Sequence, residues 1–176
     1  TVAASTANRS FASALTLTAA DGATYTKAGS TITAGISGPV VKAADVPGYT
    51  GGKQCSTAFA AGSLTGKIVV CERGGIGRVQ KGYNALQGGA IGMILYNPTA
   101  SDTETDNHFL PAIHLEGPND ELLAFLAAHT DVTASWPAGQ VQASQGDVMA
   151  GFSSRGPVGE FVKPDITTVC LGQAAS

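Results

Sequence analysis

Charge is what this sequence has least of. Of its 176 residues 13% are charged and 6% aromatic, and 10 basic against 13 acidic side chains leave a formal charge of −3. Soluble proteins carry roughly 25% charged residues, so a disordered polyelectrolyte or a solvated charged helix is excluded. No Lys/Arg cluster occurs, which argues against a nucleic-acid partner. Long apolar runs are missing too, far short of the ~20 residues that span a bilayer, so no membrane insertion is expected. The chain opens TVAASTANRSF, without a basic region followed by an apolar one, and is expected to be an internal or mature piece.

Several chemistries fail on missing residues. There is no Cys-x-x-Cys pair and no Cys/His cluster, so no metal is expected. Gly75-Ile76-Gly77 begins like a dinucleotide fingerprint, yet Gln80 stands where the third glycine belongs, and the Gly-Lys-Ser/Thr of a phosphate loop is absent. Asp102, Glu104 and Asp106 alternate like calcium ligands, but Asn107 replaces the required glycine and Ile113 the bidentate glutamate. No cofactor is therefore expected. His108, His114 and His129 are the only histidines, and no G-x-S-x-G elbow supports a nucleophilic site.

What is present is a string of short β-type runs and turns. ALTLT at 14–18, TYTKA at 24–28, STITAG at 30–35 and GPVVKA at 38–43 predict strands, with a hairpin at Asp21-Gly22, and 44–66 reads as loop. KIVVC at 67–71 and IGMILYN at 91–97 are continuous apolar runs, the pattern of strands buried on both faces. Between them Val79, Tyr83, Leu86 and Ala90 recur at helical spacing and predict a helix over 78–87 that buries this face. Strand, helix and strand make a βαβ unit with parallel strands. PAIHL at 111–115, a helix over 118–128 with Leu122, Phe125, Leu126 and His129 on one face, and strands at 131–136 and 139–143 complete a mixed α/β, β-rich fold. Cys55 and Cys71 have 15 residues between them; they form either a disulfide, contributing about 3 kcal/mol by loop entropy, or two separate buried thiols. Cys170 is expected to be unpaired.

CERGGIGRVQKGYNALQGGAIGMILYN (71–97), followed by HFLPAIHL (108–115), resembles the protease-associated (PA) domain. TVAAST at 1–6, with GFSSRGP and FVKPDIT within 151–167, resembles the catalytic domain of subtilisin-like serine proteases. The resemblance implies a PA-type β/β/α swivelling domain at 12–147 inserted between catalytic-domain flanks at 1–11 and 148–176. It also implies that the catalytic Asp, His and Ser motifs lie outside this chain, so the chain itself is not an enzyme although its parent is a subtilisin-like serine endopeptidase. Ser153 and Ser154 resemble a flanking pair and not the nucleophile. After KPDIT the family reads Ala-Pro-Gly, where this chain has Thr168, Val169 and Cys170. The two ends are expected to be loosely ordered, to pair with each other or to recruit a second copy.

The function implied is that of a secreted, non-catalytic module that binds or gates polypeptide substrates, the alternative being a structural or oligomerisation insertion. Partners would be a polypeptide substrate, the parent catalytic domain or a second copy. Parallel strands place the turn after residue 71 and the loop 97–109 at one end of the sheet, where ligands bind. The contact candidates are Arg73, Gly74, Asn97, Asp106, His108 and Phe109; the plainer reading is that they tie the two loops together.

Overall fold

A computed structural model describes residues 2–101, 103, 105–150, 153, 156–157, 159 and 164–170, without the side chains of Val169 and Cys170. The expectations for Asp102, Glu104 and Ser154, and for the pairing of Cys170, lie outside what is described. The chain is β-rich with two main helices: β1 (Val2–Thr6), β2 (Arg9–Thr18), β3 (Thr24–Ser30), β4 (Ile36–Lys42), β5 (Ile68–Glu72), α1 (Arg78–Gln87), β6 (Gly92–Tyr96), β7 (Ala112–Leu115), α2 (Asp120–Ala128), β8 (Thr133–Trp136), β9 (Gln140–Ala143) and β10 (Ile166–Cys170).

Eight strands form one sheet in the order β3-β7-β6-β5-β4-β8-β2-β9, and the β2–β3 hairpin pairing closes it into a ring. That hairpin turns at Asp21, whose carboxylate accepts the Ala23 N–H at 2.9 Å. The βαβ prediction holds, with β5 parallel to β6 from Ile68↔Gly92 to Glu72↔Tyr96. Side chains alternate across these strands, and each side meets its own core. Ile68, Val70, Ile94 and Tyr96 join Leu15, Leu17, Ile113, Leu115, Leu122 and Trp136. Val69, Cys71, Met93 and Leu95 join Cys55, Phe59, Leu64 and Ala85 on the other side. Burial on both faces is why these runs are uninterruptedly apolar. Each fully buried Leu or Ile contributes about 1.5–3 kcal/mol.

Three expectations need correcting. STITAG at 30–35 is not a strand of its own: Ser30 ends β3, and 31–35 is a connection held by side chains, the Thr33 hydroxyl bonding both the carbonyl and the N–H of Ala112. Pro118 precedes α2 and does not open it; the helix starts at Asp120 after Asn119. The face of α1 is reversed. Its buried residues are Lys81, Gly82, Asn84 and Ala85, while Tyr83 and Leu86 face solvent.

The ends of the chain run together. Residues 2–12 and 140–150 form an antiparallel ribbon, through the β2–β9 pairing and then Ser144 N–H to Asn8 O (2.9 Å), Thr6 N–H to Val148 O (2.7 Å) and Ala150 N–H to Ala4 O (2.9 Å). On its other edge β1 pairs in parallel with β10, Val2↔Ile166 to Thr6↔Cys170, so the two ends do pair with each other. The Ser153 hydroxyl accepts the Ala4 N–H at 3.0 Å.

Candidate functional site

The turn after β5 and the loop after β6 meet at one end of the sheet, over the N-terminal half of α1. Gly74 and Gly75 take φ of 123° and 75°, a backbone that L side chains rarely adopt. Added Cβ atoms would also meet Gln54, at 3.0 Å from Gly74 and 2.5 Å from Gly75, so the glycines let that side chain lie against the turn.

Beneath the turn sits Lys81, 0% exposed. Its Nζ donates to the Gly74 carbonyl at 2.6 Å and to the Gln54 carbonyl. Burial pulls its pKa down to about 8, opposed in part by Glu72. Asn84, one turn further along α1, donates to the Cys55 carbonyl at 2.9 Å. Cys55 is disulfide-bonded to Cys71, with Cα atoms 5.7 Å apart. The covalent bond ties the loop before β5 to that strand, and the lysine and asparagine tie the same loop to the helix. Glu72 accepts from Lys53 (2.8 Å) and from the Tyr96 hydroxyl (3.0 Å). Burial works against its ionisation, but these two donors hold its carboxyl below the ordinary value, while burial and Glu72 push the Tyr96 hydroxyl up.

The second loop is anchored from the same helix. Arg78 grips Asp106 with two hydrogen bonds, Nε to Oδ2 at 2.6 Å and Nη2 to Oδ1 at 3.0 Å, and the carboxylate is 2% exposed. His108 lies under the loop with Nε2 3.9 Å from Asp106 Oδ2. Asn97 joins the loop to the sheet: its Nδ2 donates to Ser101 O (2.8 Å), its Oδ1 meets His114 Nε2 (2.7 Å), and its carbonyl accepts from Asn119 (2.8 Å).

Of the six contact candidates, three are interior. Asn97 and Asp106 are buried, and the side chain of His108 is 5% exposed. Arg73 and Gly74 are half-buried at the turn, where Arg73 Nη1 reaches Ser101 Oγ at 3.5 Å. Phe109 alone projects, 61% exposed, and packs edge-on against Tyr83 of α1, 42% exposed, with ring centroids 5.4 Å apart. Leu86 is exposed one turn along the helix from Tyr83. Sequence reasoning missed Tyr83, Leu86, Arg78 and Lys81. The signal for them was Lys81, Asn84, Ala85 and Gly88, small and polar residues at helical spacing between two cysteines and a glycine pair.

The profile of the family described as "PA domain" matches residues 36–123. Among curated proteins, the chain is 39% identical over 112 residues to "Subtilisin-like protease SBT5.4" of Arabidopsis thaliana, covering 59% of this chain and 14% of that protein. It is 38% identical over 115 residues to "Minor extracellular protease Vpr" of Bacillus subtilis, covering 62% and 14%. To "Subtilisin-like protease SBT1.4" of Arabidopsis it is 35% identical over 178 residues, 94% of this chain and 22% of that protein. The chain thus spans 14–22% of the length of these relatives. Among solved structures, an aminopeptidase from Aneurinibacillus sp. strain AM-1 superposes with a TM-score of 0.49 at 25% identity, over 74% of this chain and 31% of that one.

Proposed function

We propose, from the premise that this chain belongs to the PA domain family, that it is the non-catalytic accessory domain of a subtilisin-like serine protease and that it contacts polypeptide substrate through Tyr83, Phe109 and Leu86. The observation that carries the reading is the exposed edge-to-face pair of Tyr83 and Phe109. Exposed aromatic side chains held in fixed geometry are the residues that dominate protein recognition. These two sit on separate elements, each pinned from below by buried bonds: α1 by Lys81 and Asn84, the loop by Asp106. Arg73 and Gly74, half-buried at the turn that Lys81 of the same helix holds, would contribute charge and backbone to the same contact.

The insertion reading, with flanks at 1–11 and 148–176 around a module at 12–147, is supported by the ribbon that carries both ends out side by side. A buried disulfide fits an oxidising compartment and hence secretion. Among the described residues no helix is long and apolar enough to cross a membrane.

The test is made in the full-length protease. Replacing Tyr83 and Phe109 together by Ala is expected to lower kcat/KM on casein about tenfold, as loss of an aromatic anchor does, while a short peptide p-nitroanilide is cleaved as before. Equal rates on casein would reject the contact reading. A second reading, docking against the parent catalytic domain, is favoured by Val2, Ile166, Val148 and Met149, all exposed where β1 and β10 meet the ribbon.

A further inference from the structure

We propose that Arg78, Asp106 and His108 form an acid-released latch, closed near neutral pH, that frees the segment 105–109 and with it Phe109 when His108 takes up a proton. The consequence for substrate rests on the contact reading above; the latch itself does not. His108 has a side chain 5% exposed, and its Nδ1 is buried without a hydrogen-bond partner. From α1 it is faced by Gly82, where an added Cβ would lie 3.1 Å from Nδ1, and by the Arg78 guanidinium; from β6 the nearby Met93 methyl closes the same space. From its own loop it is faced by Asp106. The neutral ring fits this pocket, since a bare ring nitrogen tolerates apolar neighbours. The imidazolium does not. It needs two acceptors, and Nδ1 has none, while the Asp106 carboxylate, the one that faces it among the described residues, already receives two bonds from Arg78 and stands 3.9 Å from Nε2. A buried N–H without an acceptor and a second cation beside Arg78 both oppose the closed state. Burial, and then the Arg78 charge, outweigh the pull of Asp106 and hold the His108 pKa below 6.5. The sign follows: the closed loop is favoured in full above that ordinary value and loses this advantage as pH falls through the lower, folded-state value.

The experiment uses the 176-residue chain and needs no polypeptide. The His108 ring is titrated by NMR, and amide exchange is followed from pH 7.5 to 4.5, corrected for intrinsic rates. Protection in 105–110 is expected to fall, by up to about tenfold per pH unit, between pH 6.5 and the His108 midpoint and to level off below it, with that midpoint under 6.5 and with β5 and β6 unchanged. His108→Gln, which cannot take up the proton, is expected to remove the fall. A loop that stays protected in the wild type, a ring midpoint at or above 6.5, or the same fall in His108→Gln would each overturn the latch. Should the variant fail to fold, the wild type decides alone: a fall in protection that levels off at the ring midpoint supports the latch, and one that continues through it rejects it. Casein cleavage by the Tyr83/Phe109 variant tests the contact reading separately, so either can fail without the other.

Discussion

α1 and α2 are of nearly equal length and bury opposite kinds of side chain. α2 seats Leu122, fully buried, with Phe125 and Leu126 against the core inside the sheet ring, and turns Asp120 and Glu121 to water. α1 seats an amine, an amide and two small residues, and turns Tyr83 and Leu86 outward. The difference lies in what each helix covers. α2 packs against the apolar cluster of the sheet. α1 also covers a disulfide-bonded loop whose carbonyls, at Gln54 and Cys55, must find donors once they are buried. Lys81 and Asn84 supply them, and the apolar residues that periodicity would have placed inside are left on the surface. A helix inverted in this way holds loops and displays rings, while an ordinary one holds a core.

Three changes can break or sharpen this contrast. The largest effect is expected from Leu122→Ala, which opens a cavity in a packed core and lowers unfolding stability by about 3 kcal/mol in urea titration. A loss below 1 kcal/mol would mean that α2 is not the core helix. Lys81→Met comes next, at about 2 kcal/mol, because it leaves two carbonyls without their donor. Its effect should concentrate in faster amide exchange at 73–77. The same substitution has a pH signature. The folded-state pKa of about 8 lies below the ordinary 10.5, so the unfolded chain binds more protons between those values and stability rises with pH across that window. The wild-type-minus-variant difference should show that rise; a flat difference would mean that Lys81 is not held in a dry site. The smallest effect is expected from Leu86→Gln, within about 0.5 kcal/mol of wild type. A large loss there would restore the conventional face and undo the comparison.

The same contrast explains what could be read from residues alone. β5 and β6 were legible because burial on both faces writes itself as an unbroken apolar run. The span of α1 was legible too, from a glycine turn before it and Gly88-Gly89 after it. Its orientation was not, since hydropathy scores a lysine by its charge and cannot register carbonyls waiting 27 residues earlier. Asn97, Asp106 and His108 were picked out as polar residues on a loop, the usual mark of a surface. Their burial follows from partners on other elements: His114 on β7, Asn119 beside α2, and Arg78 and Gly82 on α1. Phe109 differs in needing no such partner to be seen, and of the six candidates it is the most exposed.

The ribbon of 2–12 against 140–150 bears on the thermodynamics of any chain into which this module is spliced. Closing a flexible loop loses entropy as (3/2)RT ln n. An unfolded insert of about 135 residues would burden its host with nearly the whole of that term, whereas a folded one whose two strands leave together presents the host with a bridge only a few residues wide. The difference is about 3 kcal/mol in favour of the host. Folding of a module inserted in this way and closure of the chain around it would be linked equilibria, so that a mutation deep in the sheet ring would be felt as lost stability in a domain it never touches.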